Sequence, residues 1–229
     1  MMREAMAVAW KDFRLELRTR ERLSSMIIFS LMVMVSFRFA FSFFAVHADD
    51  PARSSALVPP ILWIAFFFAG MLGLAPAFSK ETDAGTLNGL LLAPADRFAI
   101  YLGKLFSSLV FIFAVSLSSI FFFAIFFNYD YAGQWAGVIG VTLLGTLAYA
   151  SIGVTVSALS STAKTRDVLL PLLLITVTLF TVVVPSINAT SNILTNDYDA
   201  AMTHVRYVIA FTLISFVLSY FLFDEVLED

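Results

Sequence analysis

Apolar residues fill six stretches of this chain, and the charged residues collect between them. The stretches run over roughly Leu23–Val46, Leu57–Phe78, Leu105–Phe127, Ala136–Leu159, Val168–Asn188 and Val205–Phe223. Each is long enough, at a rise of about 1.5 Å per residue, to cross a hydrocarbon core of about 30 Å as a helix. Backbone polar groups in lipid have no water to bond, and a helix satisfies them within one segment. The pattern therefore predicts an all-α polytopic membrane protein with six transmembrane helices, forming one membrane domain over residues 1–229. The first run is too long for a signal-peptide core and no small-residue cleavage site follows it, so it is read as a permanent span.

Two polar stretches have a periodicity of their own. In residues 1–22, Met6, Trp10, Phe13 and Leu17 recur at steps of four, three and four, while Lys11, Asp12, Arg14 and Arg18 fall elsewhere on the wheel. This predicts an amphipathic helix in the membrane interface with Trp10 at headgroup level, serving as a topology anchor or a docking element. The second stretch is SKETDAGTLNGLLLAPADRFAIYLGK, residues 79–104. Asp83 can cap a helix from Ala84 to about Leu92, with Leu87, Leu90 and Leu91 on one face. Pro94 disfavours helix at Ala93 and ends it, and Asp96 can cap a second helix that runs into the third span. A helix this short is not stable alone in water, so it must pack on the bundle, the lipid surface or a second protein.

Composition agrees with the spans: 60% of the 229 residues are hydrophobic and 14% charged, against about 25% charged in soluble domains. Charge placement adds orientation. Arg3, Lys11, Arg14, Arg18, Arg20 and Arg22 precede the first span, Lys80, Arg97 and Lys104 join the second to the third, and Lys164 and Arg166 join the fourth to the fifth. Opposite them lie only Arg53 and Arg206. The positive-inside rule then places both termini in the cytoplasm.

The chemistry open to such a chain is narrow. It has no Cys, which removes disulfides and thiolate sites. The six predicted spans hold no Asp, Glu or His, the groups that ion-coupled transporters, proton pumps and intramembrane proteases place there. No HExxH motif occurs. A GxxxxGK[ST] loop fails at Phe98 and Leu105, so no nucleotide is cradled by that motif. No catalytic or metal-ligating residue is expected, and energy for uphill work must come from another protein. Arg38 is the one charge deep inside a span, roughly 12 Å of helix from its outer end, since Arg206 stands at the very edge of its run. It is a candidate contact for a carboxylate or lipid phosphate, or an arginine that snorkels outward. His47 and His204 are two single outer-surface imidazoles without ligand spacing. Gly137, Gly140, Gly145 and Gly153 permit close helix contact in the fourth span.

KDFRLELRTRE (residues 11–21), FRFAF (37–41), WIAFFFAGMLGL (63–74), KETDAGTLNGLLLAPADRFAIYLGK (80–104), LGTLAYASIGVTVSALSSTAKTRDVLLPLLL (144–174) and the C-terminal LFDEVLED together resemble the heme exporter protein B family. Those proteins are permease subunits of the ABC-type system for cytochrome c maturation, within the type-2 ABC exporter permeases. The resemblance implies a six-span permease of the cytoplasmic (inner) membrane that pairs with itself and with an ABC ATPase subunit. It also implies a heme-handling membrane protein and a periplasmic heme chaperone as partners, besides membrane lipid, and no nucleic acid. ATP would be hydrolysed on the partner subunit, this chain would bind no cofactor, and heme would be the candidate cargo. The segment 79–104 would be a cytoplasmic coupling loop, with Glu81, Asp83, Gly85, Thr86, Leu87, Leu90, Leu91 and Pro94 contacting the ATPase. Lys164 and Arg166 would form a lesser second contact. The chain departs from the family pattern at Pro76, where Arg is common, and near Ser116, where a buried Glu is common. A type-2 exporter of a lipid, polysaccharide or drug, and a mechanical adaptor that moves nothing itself, are the alternative readings.

Overall fold

The computed structural model describes residues 1–43, 51–83, 85, 96–131, 133–161, 163 and 165–226. Among them the chain is helical throughout: α1 (Met2–Thr19), α2 (Glu21–Phe43), α3 (Pro51–Leu74), α4 (Pro76–Asp83), α5 (Arg97–Phe127), α6 (Trp135–Ser161), α7 (Arg166–Thr178), a π-helical turn (Leu179–Val183), α8 (Val184–Leu194) and α9 (Tyr198–Val226). Six helices are long and apolar enough to cross a membrane: α2, α3 with α4, α5, α6, α7 through α8, and α9. This is the predicted all-α polytopic membrane protein.

The spans overrun the apolar runs. Asp96 caps α5, its carboxylate accepting from the Phe98 backbone N–H at 3.0 Å, as its place before the third span predicts. The helix begins at Arg97, as that cap predicts, runs on into the apolar stretch from Leu105, and carries Lys104 within it. The second span likewise continues past Phe78, after a break at Ala75, through α4 to Asp83. Pro76 opens that short helix, a position where a missing N–H costs nothing. Both extensions bring charge into helices whose apolar runs hold none. The fifth span runs to Leu194 instead of Asn188, with its π turn just ahead of Pro185. Proline offers no N–H to the carbonyl four residues back, and a widened turn is a common way to absorb that loss.

The most buried spans are the one from Ala56 to Asp83 and α6, while α2 and α9 are the least. Small residues and hydroxyls make the inner contacts. Trp63 Nε1 donates to Thr190 Oγ1 (3.0 Å), Tyr149 OH to the Phe67 carbonyl (3.1 Å), Tyr101 OH to the Ser151 carbonyl (3.0 Å) and Ser157 Oγ to the Leu74 carbonyl (2.9 Å). Such interhelical bonds matter in lipid because tails supply no hydrophobic force between helices. Ser116 donates to the Ile112 carbonyl of its own helix.

Helix α1 lies along α5. A Cβ at Gly103 would come within 2.6 Å of the Ala5 carbonyl oxygen and 2.7 Å of Val8 Cβ, so glycine there sets how closely the two helices approach. Phe13 stacks on Phe111 at 5.5 Å. The most deeply buried residues of α1 are Ala9 and Glu16, whereas Met6, Trp10 and Leu17 of the apolar stripe stay more than half exposed. The stripe is thus left open on the outside of the bundle, and a small and acidic stripe packs inward.

Candidate functional site

Four helices meet at the end of the bundle that holds most of the lysines and arginines. Helix α4 brings Glu81, which is 9% exposed. Twenty-three residues on, α5 brings Lys104, which is 2% exposed, and its Nζ lies 2.5 Å from Glu81 Oε1. From α1, Lys11 Nζ reaches the same oxygen at 2.7 Å. Asp12 completes the group, with Oδ2 at 3.1 Å from Lys104 Nζ and Oδ1 at 3.3 Å from Lys11 Nζ. Two cations and two anions from three helices form one neutral cluster.

The surroundings fix its geometry. The Lys104 ammonium lies over the Phe78 ring, 5.2 Å from its centroid, and Ser107 Oγ reaches Asp12 Oδ2 at 3.5 Å. Burial by itself pulls the Lys11 ammonium down. The Glu81 hydrogen bond and the charges of Asp12 and Glu81 outweigh it and hold Lys11 above the ordinary lysine range. Beside the cluster, Glu16 Oε1 accepts the Leu23 backbone N–H at 2.8 Å, which joins α1 to the start of α2. Arg22 is buried over the Phe111 ring at 5.1 Å. Its Nε and Nη2 find no hydrogen-bond partner among the described residues, and a cavity of about 30 Å³ lined by Asp12, Glu16, Arg22 and Lys104 adjoins it. The arrangement offers no nucleophile poised by a base; its chemistry is that of an electrostatic tie between helices.

The residues predicted from sequence separate into three groups. Glu81 is not an open docking acid, because burial and two lysines occupy it. Asp83 is the last residue of α4, and of the helix predicted from Ala84 to about Leu92 only Gly85 lies within the described residues. Gly85 is exposed with φ of 66°, and its N–H closes on the Thr82 carbonyl at 3.1 Å. A left-handed residue ends a helix and cannot continue one. Thr86, Leu87, Leu90, Leu91 and Pro94 lie outside the described residues, as do Lys164 and His47. Arg166 opens α7. Arg38 is exposed on the flank of α2, well away in sequence from the charged cluster. His204 sits near the start of α9, half-buried beside Tyr207.

Sequence reasoning missed Lys11, Asp12, Glu16, Arg22 and Lys104. One signal for the first group was present: Ala5, Ala9, Asp12 and Glu16 also recur at steps of four, three and four. Two small residues followed by two acids on one face mark a stripe that packs closely and meets buried cations.

The profile of the CcmB protein family matches residues 3–228. Heme exporter protein B of Escherichia coli (strain K12) is 30% identical over 99 residues, which is 42% of this chain and 42% of that protein. The same figures hold for heme exporter protein B of Shigella flexneri. The aligned stretch thus spans less than half the length of these curated relatives. The family profile, by contrast, runs through all six spans and the charged junction, and on that match the chain belongs to the CcmB protein family.

Proposed function

We propose that this chain is the transmembrane permease subunit of an ABC transporter complex for cytochrome c maturation. Its task is to turn ATP hydrolysis by a separate ATPase subunit into heme export, or into release of a heme-loaded chaperone. The observation that carries this reading is the family match over residues 3–228. The name of the aligned relatives, heme exporter protein B, supports heme as the cargo. The chain would act as a homodimer in the inner membrane with both termini cytoplasmic, since the basic residues gather at one end. A heme-handling membrane protein and a periplasmic heme chaperone would complete the complex. ATP would reside on the ATPase, and this chain would bind no cofactor of its own.

Helix α4 ends and α5 begins at that basic end, which supports reading the segment between them as the ATPase contact. Thr86, Leu87, Leu90, Leu91 and Pro94 would carry it, and Lys164 and Arg166 would add a second. Arg38, exposed on the flank of the least buried span, would meet an anionic group of cargo, lipid or partner.

One observation favours the adaptor as a second reading. The pocket among Trp63, Phe67, Tyr149 and Val182 inside the bundle holds about 10 Å³, far below the several hundred Å³ that ligand sites occupy. Heme would not pass through that pocket, so its path would run elsewhere, as along the apolar groove of about 560 Å³ lined by α1, α5, α6 and α9, or this chain would pass motion to a partner. ATP-dependent heme flux into vesicles holding only this chain and its ATPase distinguishes the two.

Deleting the gene should abolish c-type cytochromes and spare b-type ones; intact c-type cytochromes would overturn the heme reading in favour of another type-2 export cargo. Leu87→Glu with Leu90→Glu should permit insertion yet remove stimulation of the ATPase and lower holo-cytochrome c at least tenfold. Gly85 is a poor place for that test, because its left-handed φ makes any side chain strained.

A further inference from the structure

We propose that Glu81, Lys104, Lys11 and Asp12 form a clamp that makes α1, α4 and the first turns of α5 move as one body. On this view the amphipathic α1 is part of the element that receives force, not a passive anchor. The inference rests on the reading of the α4–α5 segment as the ATPase contact and adds which parts of the bundle respond to it.

Helix α4 is the short end of the second span. On one side Pro76 leaves a single helical bond unmade where α4 continues α3, although the Ala75 N–H still bonds the Met71 carbonyl at 3.0 Å, and on the other Gly85 turns left-handed. Continuity with α3 and packing on α6 hold α4 on its inner side, but neither ties it to α5 or α1. The Glu81–Lys104 pair does, and it does so across the stem of the segment, tying the helix that enters it to the helix that leaves it. Lys11 and Asp12 add α1 to the same tie at 2.7 and 3.1 Å.

The charges make the tie all-or-none. A carboxylate and an ammonium buried together hold each other, and separating them would strand each in a site with little water. A thrust that moved α4 alone would have to pull Glu81 away from both lysines at once. Moving α1, α4 and α5 together breaks none of these contacts. The close approach at Gly103 and the Phe13–Phe111 stack make the α1–α5 side of the body stiff.

The test uses the whole complex and the absence of native Cys. Spin labels on Ala7→Cys and Phe106→Cys, both at exposed positions, report the α1–α5 distance by electron paramagnetic resonance. That distance should stay fixed when ATP binds and is hydrolysed. In Glu81→Gln with Lys104→Met, which leaves Lys11 and Asp12 to pair with each other, it should broaden. The same variant should insert normally and keep its ATPase rate, while holo-cytochrome c formed per ATP falls at least tenfold. An α1–α5 distance that changes with ATP in the unmodified chain would overturn the clamp, as would a normal yield per ATP or a lost ATPase rate in the double variant. Leu87→Glu with Leu90→Glu, run in parallel, isolates the underlying reading. If that variant keeps its ATPase stimulation, the segment is not the contact, whatever the labels show.

Discussion

Gly145 and Gly140 stand five residues apart in the same span and do unlike work. A Cβ at Gly145 would run into the Trp63 indole and come within 2.8 Å of Ser186 Oγ, whereas one at Gly140 would meet nothing within 4 Å. Trp63 cannot withdraw freely, because its Nε1 is held by Thr190. Gly145→Leu should therefore destabilise the bundle by about 1–3 kcal/mol, the usual cost of overpacking, and Gly140→Ala should cost well under 1 kcal/mol. Thermal aggregation of the detergent-solubilised protein measures both. Lys104 allows a second residue-scale prediction. Lys104→Met alone leaves Glu81 and Asp12 sharing one cation, and breaking a buried pair in this way costs about 3–5 kcal/mol. Adding Glu81→Gln should recover most of it. A small-residue stripe is visible in a sequence, but which glycine faces a tryptophan is not, since Trp63 and Gly145 are 82 residues apart.

At the scale of elements, α1 shows how a correct period leaves the packing face undecided. Met6, Trp10, Phe13 and Leu17 form a stripe, and so do Ala5, Ala9, Asp12 and Glu16. In water the first would turn inward. Here much of the first stays exposed and the second packs on α5 and α2, because Lys104 and Arg22 supply buried positive charge and Gly103 admits a small-residue helix. The pH response of this docking follows from Lys11. Its value is raised in the folded protein above the 10.5 of a free lysine, so its contribution is complete below that value and is lost only as pH rises through the raised one. Docking of α1 should be constant from about pH 6 to pH 9 and loosen above about pH 10.5. Trp10 emission against pH would record it; a transition near neutrality would contradict the assignment of Lys11 to this tie. Helix ends followed local chemistry where a cap was available, as at Asp96. They departed from it at Gly85 and Pro185, where a single backbone property ended or widened a helix.

For the whole molecule, the six-span architecture and the gathering of basic residues at one end make a directional prediction. A membrane-impermeant maleimide added to intact cells should label Asp199→Cys, at the start of α9, and fail to label Thr165→Cys, at the start of α7. The reverse result would invert the topology. The chain's lack of native Cys keeps that experiment free of background.

The sequence by itself determined the solvent and the class of fold. Apolar runs of membrane length admit only helices, and the asymmetry of lysine and arginine ranks their two ends; both are sums over composition that need no knowledge of contacts. It also marked residues 79–104 as patterned like a helix flanked by caps, a pattern whose middle lies outside the described residues. Only the tertiary structure decided what Glu81, Lys104, Lys11 and Asp12 do. In the linear pattern Glu81 and Lys104 border a polar loop and read as exposed. In the folded chain they are buried, because each is neutralised by partners 23 to 92 residues away in sequence. Whether a charge is affordable in a low-dielectric site depends on what lies within about 4 Å of it, and that distance is set by the packing of helices rather than by their order.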